Sequence, residues 1–336
     1  MVRRWRGVLA ALILLLLVRP GEAAEALRVG VLKLASSGPV FIAAERGYFT
    51  AEGLAVELRF FEAAQPIAVA AVAGDVDIGV TGLTAGFYNL AGKGALRIIG
   101  AQSREEPGYH LVAYLASRRA FAAGLHGLAD LPGHSVAITQ VGSTFHYSIG
   151  LLAAKLGFPL ARLRLVPLQS MPNMASALQG GQVDAALIPA TLAVPMVARG
   201  DAHLLGWVGD ETPWQLGAIF ANAHRLERDR AAAEAFLRAY RRGARDFYDA
   251  FLKRNADGRA EEGPQAVALL AIIAKYTGQA ASQIRNGIPY IDPEARLLPG
   301  DIHRQVAWYQ AQGLVDKSVD ADAIIDASLA GMTGEH

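Results

Sequence analysis

Gly74-Asp75-Val76-Asp77-Ile78-Gly79-Val80 and Gly181-Gln182-Val183-Asp184-Ala185-Ala186-Leu187 share one pattern: a glycine turn, then Val-Asp, then an apolar strand. Each stretch reads as a junction where a helix ends and a buried strand begins. Working outward from the first, Ile67 to Ala73 reads as the helix and Leu54 to Phe60 alternates like a strand. Leu27 to Val31 is another strand, followed by the turn Ala35-Ser36-Ser37-Gly38-Pro39 and a helix through Phe41, Ala44 and Tyr48. Outward from the second, the same order recurs. Ser135 to Gln140 is a strand, Gly142-Ser143-Thr144 a turn, Phe145 to Leu156 a helix, Leu163 to Leu168 a strand and Asn173 to Leu178 a helix. The spacing from Asp77 to Asp184 is the same as that from Leu58 to Leu165, whereas the helix-ending Gly53 and Gly157 stand slightly closer together.

Short strands alternating with longer helices imply βαβ units and a mainly parallel sheet. Two copies of that order predict two α/β lobes, one from residues 27–114 with 217–336 and the other from 115–216. Chain crossings are expected near 113–118 and 212–217. Beyond them Leu216 to Ala221 reads as one more strand. Phe236, Tyr240, Phe247 and Phe251 then mark the packed face of an amphipathic helix. Asn255 to Pro264 is a polar loop, and further helices are expected at Gln265 to Tyr276, Pro299 to Gln312 and Asp320 to Leu329. The last helices should pack on the first lobe and restrain the hinge.

In open parallel sheets, ligands sit beyond the carboxyl ends of the strands. Equivalent loops of two facing lobes should therefore line a cleft. In the first lobe these carry Ser36, Ser37 and Gly38, then Thr81 and Thr84. In the second they carry Gln140, Gly142, Ser143 and Thr144, then Thr191. None of these loops holds a charged residue. Several begin helices, where free N–H groups and the helix dipole favour an anion; each Ser or Thr alone also suits an ordinary N-cap. Trp214, beside the second crossing, could cover an apolar ligand body or pack the hinge, and Tyr109 and His110 stand similarly at the first. His146 could donate to an anion, or lie on the surface of its helix. Glu105-Glu106 and Glu261-Glu262 sit in polar runs and read as solvated.

Bulk features narrow the class. Arg3, Arg4 and Arg6, the apolar run Gly7 to Val18, the break at Arg19-Pro20-Gly21 and the small-x-small triplet Ala24-Glu25-Ala26 form a three-part secretory signal, residues 1–26. Its twelve apolar residues reach about 18 Å as helix, short of a bilayer core of roughly 30 Å. With 0 Cys the chain has neither disulfides nor a Cys for lipid anchoring. The mature protein is thus expected to be soluble in a periplasm. Removing four basic and two acidic leader residues from 32 and 31 leaves 28 basic and 29 acidic ones, a balance that favours neither nucleic acid nor an anionic membrane. No catalytic constellation stands out: there is no His-x-x-x-His spacing on a helix, no thiol, and no phosphate-binding glycine loop.

Three stretches carry a resemblance. Phe41-Ile42-Ala43-Ala44-Glu45-Arg46-Gly47-Tyr48-Phe49 with Glu52-Gly53-Leu54-Ala55-Val56-Glu57-Leu58 resembles the opening of the nitrate, sulfonate and taurine substrate-binding proteins of ABC transporters. So do Asp130-Leu131-Pro132-Gly133-His134-Ser135-Val136-Ala137 and Ala177-Leu178-Gln179-Gly180-Gly181-Gln182-Val183-Asp184-Ala185-Ala186. The resemblance spans about residues 27 to 220. It implies a type II periplasmic binding fold with a permease and an ATPase as partners, and it does not fix the ligand. The uncharged loops favour a small organic anion, sulfonate-like or carboxylate-like, bound without being altered and with no cofactor, and a receptor that closes on a hinge suits a monomer. Many relatives carry an acidic residue before the proline where this chain has Leu187-Ile188-Pro189-Ala190-Thr191, so that loop departs from the family pattern. Two other functions are compatible with the scaffold: a periplasmic sensor accessory, and an enzyme such as a thiamin-pyrimidine synthase. The yeast-type synthases and the porphobilinogen deaminases that share the scaffold depend on Cys, which is absent here.

Overall fold

The computed structural model describes residues 26–332 except 257 and 259. The signal expected at residues 1–26 therefore lies, but for Ala26, outside the described residues. Twelve strands follow in order: β1 (Leu27–Leu32), β2 (Val56–Phe61), β3 (Ile78–Gly82), β4 (Leu96–Ala101), β5 (Arg104–Glu105), β6 (Val112–Ser117), β7 (Ser135–Ile138), β8 (Arg164–Pro167), β9 (Ala185–Pro189), β10 (Ala202–Trp207), β11 (Trp214–Gln215) and β12 (Gly217–Asn222). They form two five-stranded sheets, ordered β2-β1-β3-β12-β4 and β10-β6-β9-β7-β8, joined by the ribbon β11-β5. Reversing the second order gives β8-β7-β9-β6-β10, which matches the first strand for strand. In each sheet one strand runs against the other four, and it is the first long strand after a crossing: β12 in one, β6 in the other.

The spacing read in the sequence is the spacing of the backbone. Val29 lies opposite Ile78 in the first sheet and Val136 opposite Ala185 in the second, so both members of the pair recur at the interval that separates Asp77 from Asp184. Arg28 opposite Glu57 and Ser135 opposite Arg164 repeat it. The shared Val-Asp has a mechanical reason. Asp77 Oδ2 accepts the Arg28 N–H at 2.9 Å, and Asp184 Oδ2 accepts the Ser135 N–H at 2.9 Å. Each carboxylate, entering its own strand, pins the start of the neighbouring central strand.

The apolar faces bury helices as the periodicity predicts. The helix Arg230–Phe251 buries Phe236, Tyr240, Phe247 and Phe251. Ala266–Thr277 and Pro299–Ala311 are helices as expected. Four expectations are corrected. The first crossing precedes residues 113–118, because Val112–Ser117 is wholly a strand of the second sheet; a lobe boundary at 114/115 falls inside it. Asp320 to Leu329 is helical only over Ala327–Ala330. There the Asp320 side chain accepts the Asp322 N–H (3.0 Å), a local bond that competes with helix. The Ile98 N–H donates to Ile324 O (2.9 Å), docking the segment on β4 instead. Glu105 is not solvated: it is 0% exposed in the crossing ribbon. Burial pushes its carboxyl well above the usual range, with Val112 and Gly209 N–H groups nearby but outside hydrogen-bonding geometry. Nor does His146 lie on the surface; it is buried.

Candidate functional site

Loops at the carboxyl ends of strands from both sheets converge on one cavity of about 50 Å³, room for roughly three to five water positions. Leu32, Gly82 and Pro189 end β1, β3 and β9 at its wall, Thr81 stands one residue before the end of β3, and Thr139 and Gln140 follow β7 into it. Among the described residues lining it none is charged. Apolar surface comes from Leu34, Leu111, Val112, Phe145, Met171 and Leu216.

Of the predicted site residues, Ser36, Thr81, Thr84, Gln140, Ser143 and Thr144 line this cavity. Thr84 and Ser143 are also N-caps. Thr84 Oγ1 accepts the Phe87 N–H (3.1 Å) and Ser143 Oγ the His146 N–H (3.3 Å). Thr81 differs. Its hydroxyl is buried, at 1% exposure for the residue, and has no hydrogen-bond partner among the described residues. A buried polar group left unpaired costs about 1–3 kcal/mol, so this hydroxyl is a donor available to a guest in the cavity.

The remaining five lie elsewhere. Ser37 Oγ donates to Leu32 O (2.8 Å), closing the turn after β1. Gly38 packs on Phe247 and Ile273, where a Cβ would come within 2.9 Å of the Phe247 ring. Gly142 takes φ +82 and its N–H donates to His146 Nδ1 (3.0 Å). Burial holds His146 below its ordinary pKa, consistent with an unprotonated Nδ1 that accepts. Thr191 Oγ1 accepts from Gln279 Nε2 (3.1 Å). Trp214 is buried in the ribbon, edge-on to Tyr147 at 4.7 Å between ring centroids. Tyr109 and His110 line a separate surface groove with Arg285 and Ile288.

Ala63, Ala64, Gln65, Gln102 and Met171 line the cavity and were not among the expected residues. A signal for most of them existed. The rule that ligands gather at strand carboxyl ends applies equally to β2 and β8, which lead into the helix starts holding Ala63 to Gln65 and Met171. Gln102 Nε2 donates to Ser36 O (3.2 Å), fixing the turn after β1.

The two sheets meet across the cavity. The Ala85 N–H, in the first turn of one helix, donates to Gly142 O on the other side at 2.9 Å. Tyr309 OH, from the helix Pro299–Ala311, donates to Ser143 O (3.0 Å), and Tyr88 OH on the opposite flank donates to Gln305 Oε1 (2.9 Å). That helix thus wedges behind the cavity and touches both halves.

Two equivalent sheets, crossed twice by the chain and facing each other over a cavity, agree with a sequence match. Residues 35–250 match the family described as NMT1/THI5 like. The chain belongs to the NMT1/THI5-like family. No curated protein sequence matches it significantly. Among solved structures, this NMT1/THI5-like chain is similar to the alkanesulfonate-binding protein SsuA of Xanthomonas axonopodis pv. citri bound to MOPS, at 19% identity, covering 89% of this chain and 97% of that one, with a TM-score of 0.71. It is similar to the periplasmic aliphatic sulphonate-binding protein SsuA of Escherichia coli, at 21% identity over 91% and 98%, TM-score 0.70. The periplasmic nitrate-binding protein NrtA of Synechocystis PCC 6803 is a third, at 15% identity over 91% and 87%, TM-score 0.70. At these identities the likeness establishes the fold, that of periplasmic binding proteins. Among the described residues no helix is long and apolar enough to cross a membrane.

Proposed function

We propose that this NMT1/THI5-like protein is the periplasmic receptor of an ABC importer. It closes two lobes on a small organic anion, sulfonate-like or carboxylate-like, and releases it unchanged to a permease and its ATPase. The lobes of this reading are the halves built on the two sheets, with the crossing ribbon as hinge and the amino-terminal leader removed on export. A monomer suffices for such closure.

The unpartnered Thr81 hydroxyl in a cavity walled by both sheets carries the reading. A lining without charges favours one negative charge at most. A buried dianion would need cations or many donors to offset its desolvation. Binding rather than catalysis is supported by the lining chemistry: Ser, Thr and Gln supply hydrogen bonds, while no carboxylate, imidazole, amine or thiol among the described lining residues faces the guest to move a proton or attack it. Titrating the mature protein with sulfonates, carboxylates, nitrate, taurine and pyrimidines in a thermal-melt assay tests the proposal. A true ligand raises the melting temperature with concentration and is recovered unaltered. Conversion of that ligand to product would end the receptor reading.

A further inference from the structure

The duplicated lobes differ at one helix start, and the difference places the ligand's charge. The helix Ala64–Ala73 follows β2, and its counterpart Met171–Gln179 follows β8. Ser170 caps the second: its Oγ accepts the Asn173 N–H (3.3 Å). The equivalent residue in the first lobe is Ala63, in the same extended conformation (φ -151, ψ 161) and with no side chain that can cap. Position three of this helix is Pro66, which has no N–H, so the donor that Ser170 satisfies in the other lobe does not exist here. The Ala64 and Gln65 N–H groups remain, with no acceptor among the described residues, and both residues line the cavity.

A second observation points the same way. Thr81, whose buried hydroxyl lacks a partner among the described residues, lines the same cavity. Its counterpart in the second lobe is Ile188, apolar and fully buried in β9. Pairing confirms the equivalence: Thr81 faces Ala218 of the reversed strand, and Ile188 faces Ala113 of its counterpart. Gln65 adds to the set. Its Oε1 accepts the Thr84 hydroxyl, which orients the amide and leaves the Nε2 donors for other use.

Building on the receptor reading, we propose that the anionic head of the ligand is held by the first lobe alone, by the Ala64 and Gln65 N–H groups with the Thr81 hydroxyl. The second lobe covers the apolar remainder with Leu111, Val112, Phe145 and Met171. A ten-residue helix carries a partial positive charge at its start, and donors free of a cap can meet the head without the loss of any existing bond. The open first lobe is then the docking half, and the second lobe closes on a ligand already bound.

Ala63→Asp tests this, because a carboxylate at that position competes for the very N–H groups assigned to the ligand. The probes are butane-1-sulfonate and butanoate, with butane-1-sulfonamide and butanamide as neutral counterparts, measured calorimetrically on the full mature chain. The wild type should bind the anions in preference to the amides. Ala63→Asp should raise the unliganded melting temperature by capping and weaken anion binding about tenfold or more, the scale of lost hydrogen bonds to a charge. Thr81→Val should weaken anion binding without lowering the unliganded melting temperature, and stands as the readout should the Asp variant not fold. Undiminished anion affinity in both variants, or equal loss for anions and amides, overturns the placement while leaving the receptor reading intact. Failure of the wild type to bind any of the four overturns the receptor reading itself, and this placement with it.

Discussion

The two sheets share a backbone plan and differ in how they fill it. Opposite Gly79 in the first sheet stands Phe220 of the reversed strand; opposite the equivalent Ala186 in the second stands Leu115. A small residue faces a large one in both, but the volume is divided differently. At the cavity the divergence is polar. The first half presents Thr81 and an uncapped helix start; the second presents Ile188 and Ser170 in a cap. Duplication thus fixes where strands and loops fall, while side chains at equivalent positions specialise. A core tolerates such exchanges if total volume is kept, and a cavity wall uses them to become one-sided.

The largest effect should come from the core exchange. A Cβ on Gly79 would lie 2.3 Å from the Phe220 ring and 2.9 Å from Ile67. Gly79→Ala should therefore destabilise the protein by about 1–3 kcal/mol in urea unfolding, the usual cost of overpacking. Adding Phe220→Leu copies the arrangement of the second sheet and should restore most of the loss, even though Phe220→Leu alone forfeits ring contact with Phe87 (4.8 Å between centroids). Double-mutant coupling is the diagnostic. A double variant as unstable as the two single losses added together would mean that the halves are not interchangeable in this layer.

A smaller effect separates capping from binding. Ser170→Ala should lower stability by about 1 kcal/mol and leave ligand affinity unchanged, because Ser170 caps its helix away from the cavity lining. Ser143→Ala should lower both, since Ser143 caps the His146 N–H and also lines the cavity. Parallel melts and titrations of the two variants check this; equal affinities would put Ser143 outside the binding surface.

Much of this is legible in the sequence. The Val-Asp repeat carried the register, because each aspartate bonds across to the start of a neighbouring strand at the same sequence separation in both halves. The rule that ligands sit beyond strand carboxyl ends picks out the segments at the ends of β1, β3 and β7, and six of their Ser, Thr and Gln residues meet at the cavity. Gln65 and Gln102 carry polar side chains but lie outside the loops that reading selects, whereas the alanines at the cavity carry no polar label at all. Ala64 offers a backbone N–H and Ala63 a helix start left uncapped, and nothing in the identity of an alanine announces either. Glu105 reads as solvated because its neighbours in sequence are polar, yet a two-residue crossing strand carries it into the interior. Thr191 was expected at the cavity by analogy with Thr84, its counterpart in the first lobe. The second-lobe helix starts earlier, at Ala190, so Thr191 falls inside its first turn and bonds Gln279 instead.

The smallest effect concerns the anchoring carboxylates themselves. Burial works to raise the pKa of Asp184, but the Ser135 N–H and hydroxyl, with His134 and Arg119 beyond them, outweigh it and hold the group below its ordinary 3.8. A carboxylate depressed in the folded state stabilises the fold above its unfolded pKa and loses that contribution as pH falls through the folded value. Asp184→Asn should therefore lower stability modestly at pH 7, where the group, 19% exposed, is partly screened by solvent. The gap to the wild type should narrow as pH drops below the ordinary aspartate range near 3.8. Urea midpoints collected from neutral to acidic pH read this directly. A gap that stays constant across the series would assign the anchor to hydrogen-bond geometry, which an amide oxygen reproduces only in part. Charge would then have no share in pinning β7 to β9, and the two aspartates would be alike only in where their oxygens sit.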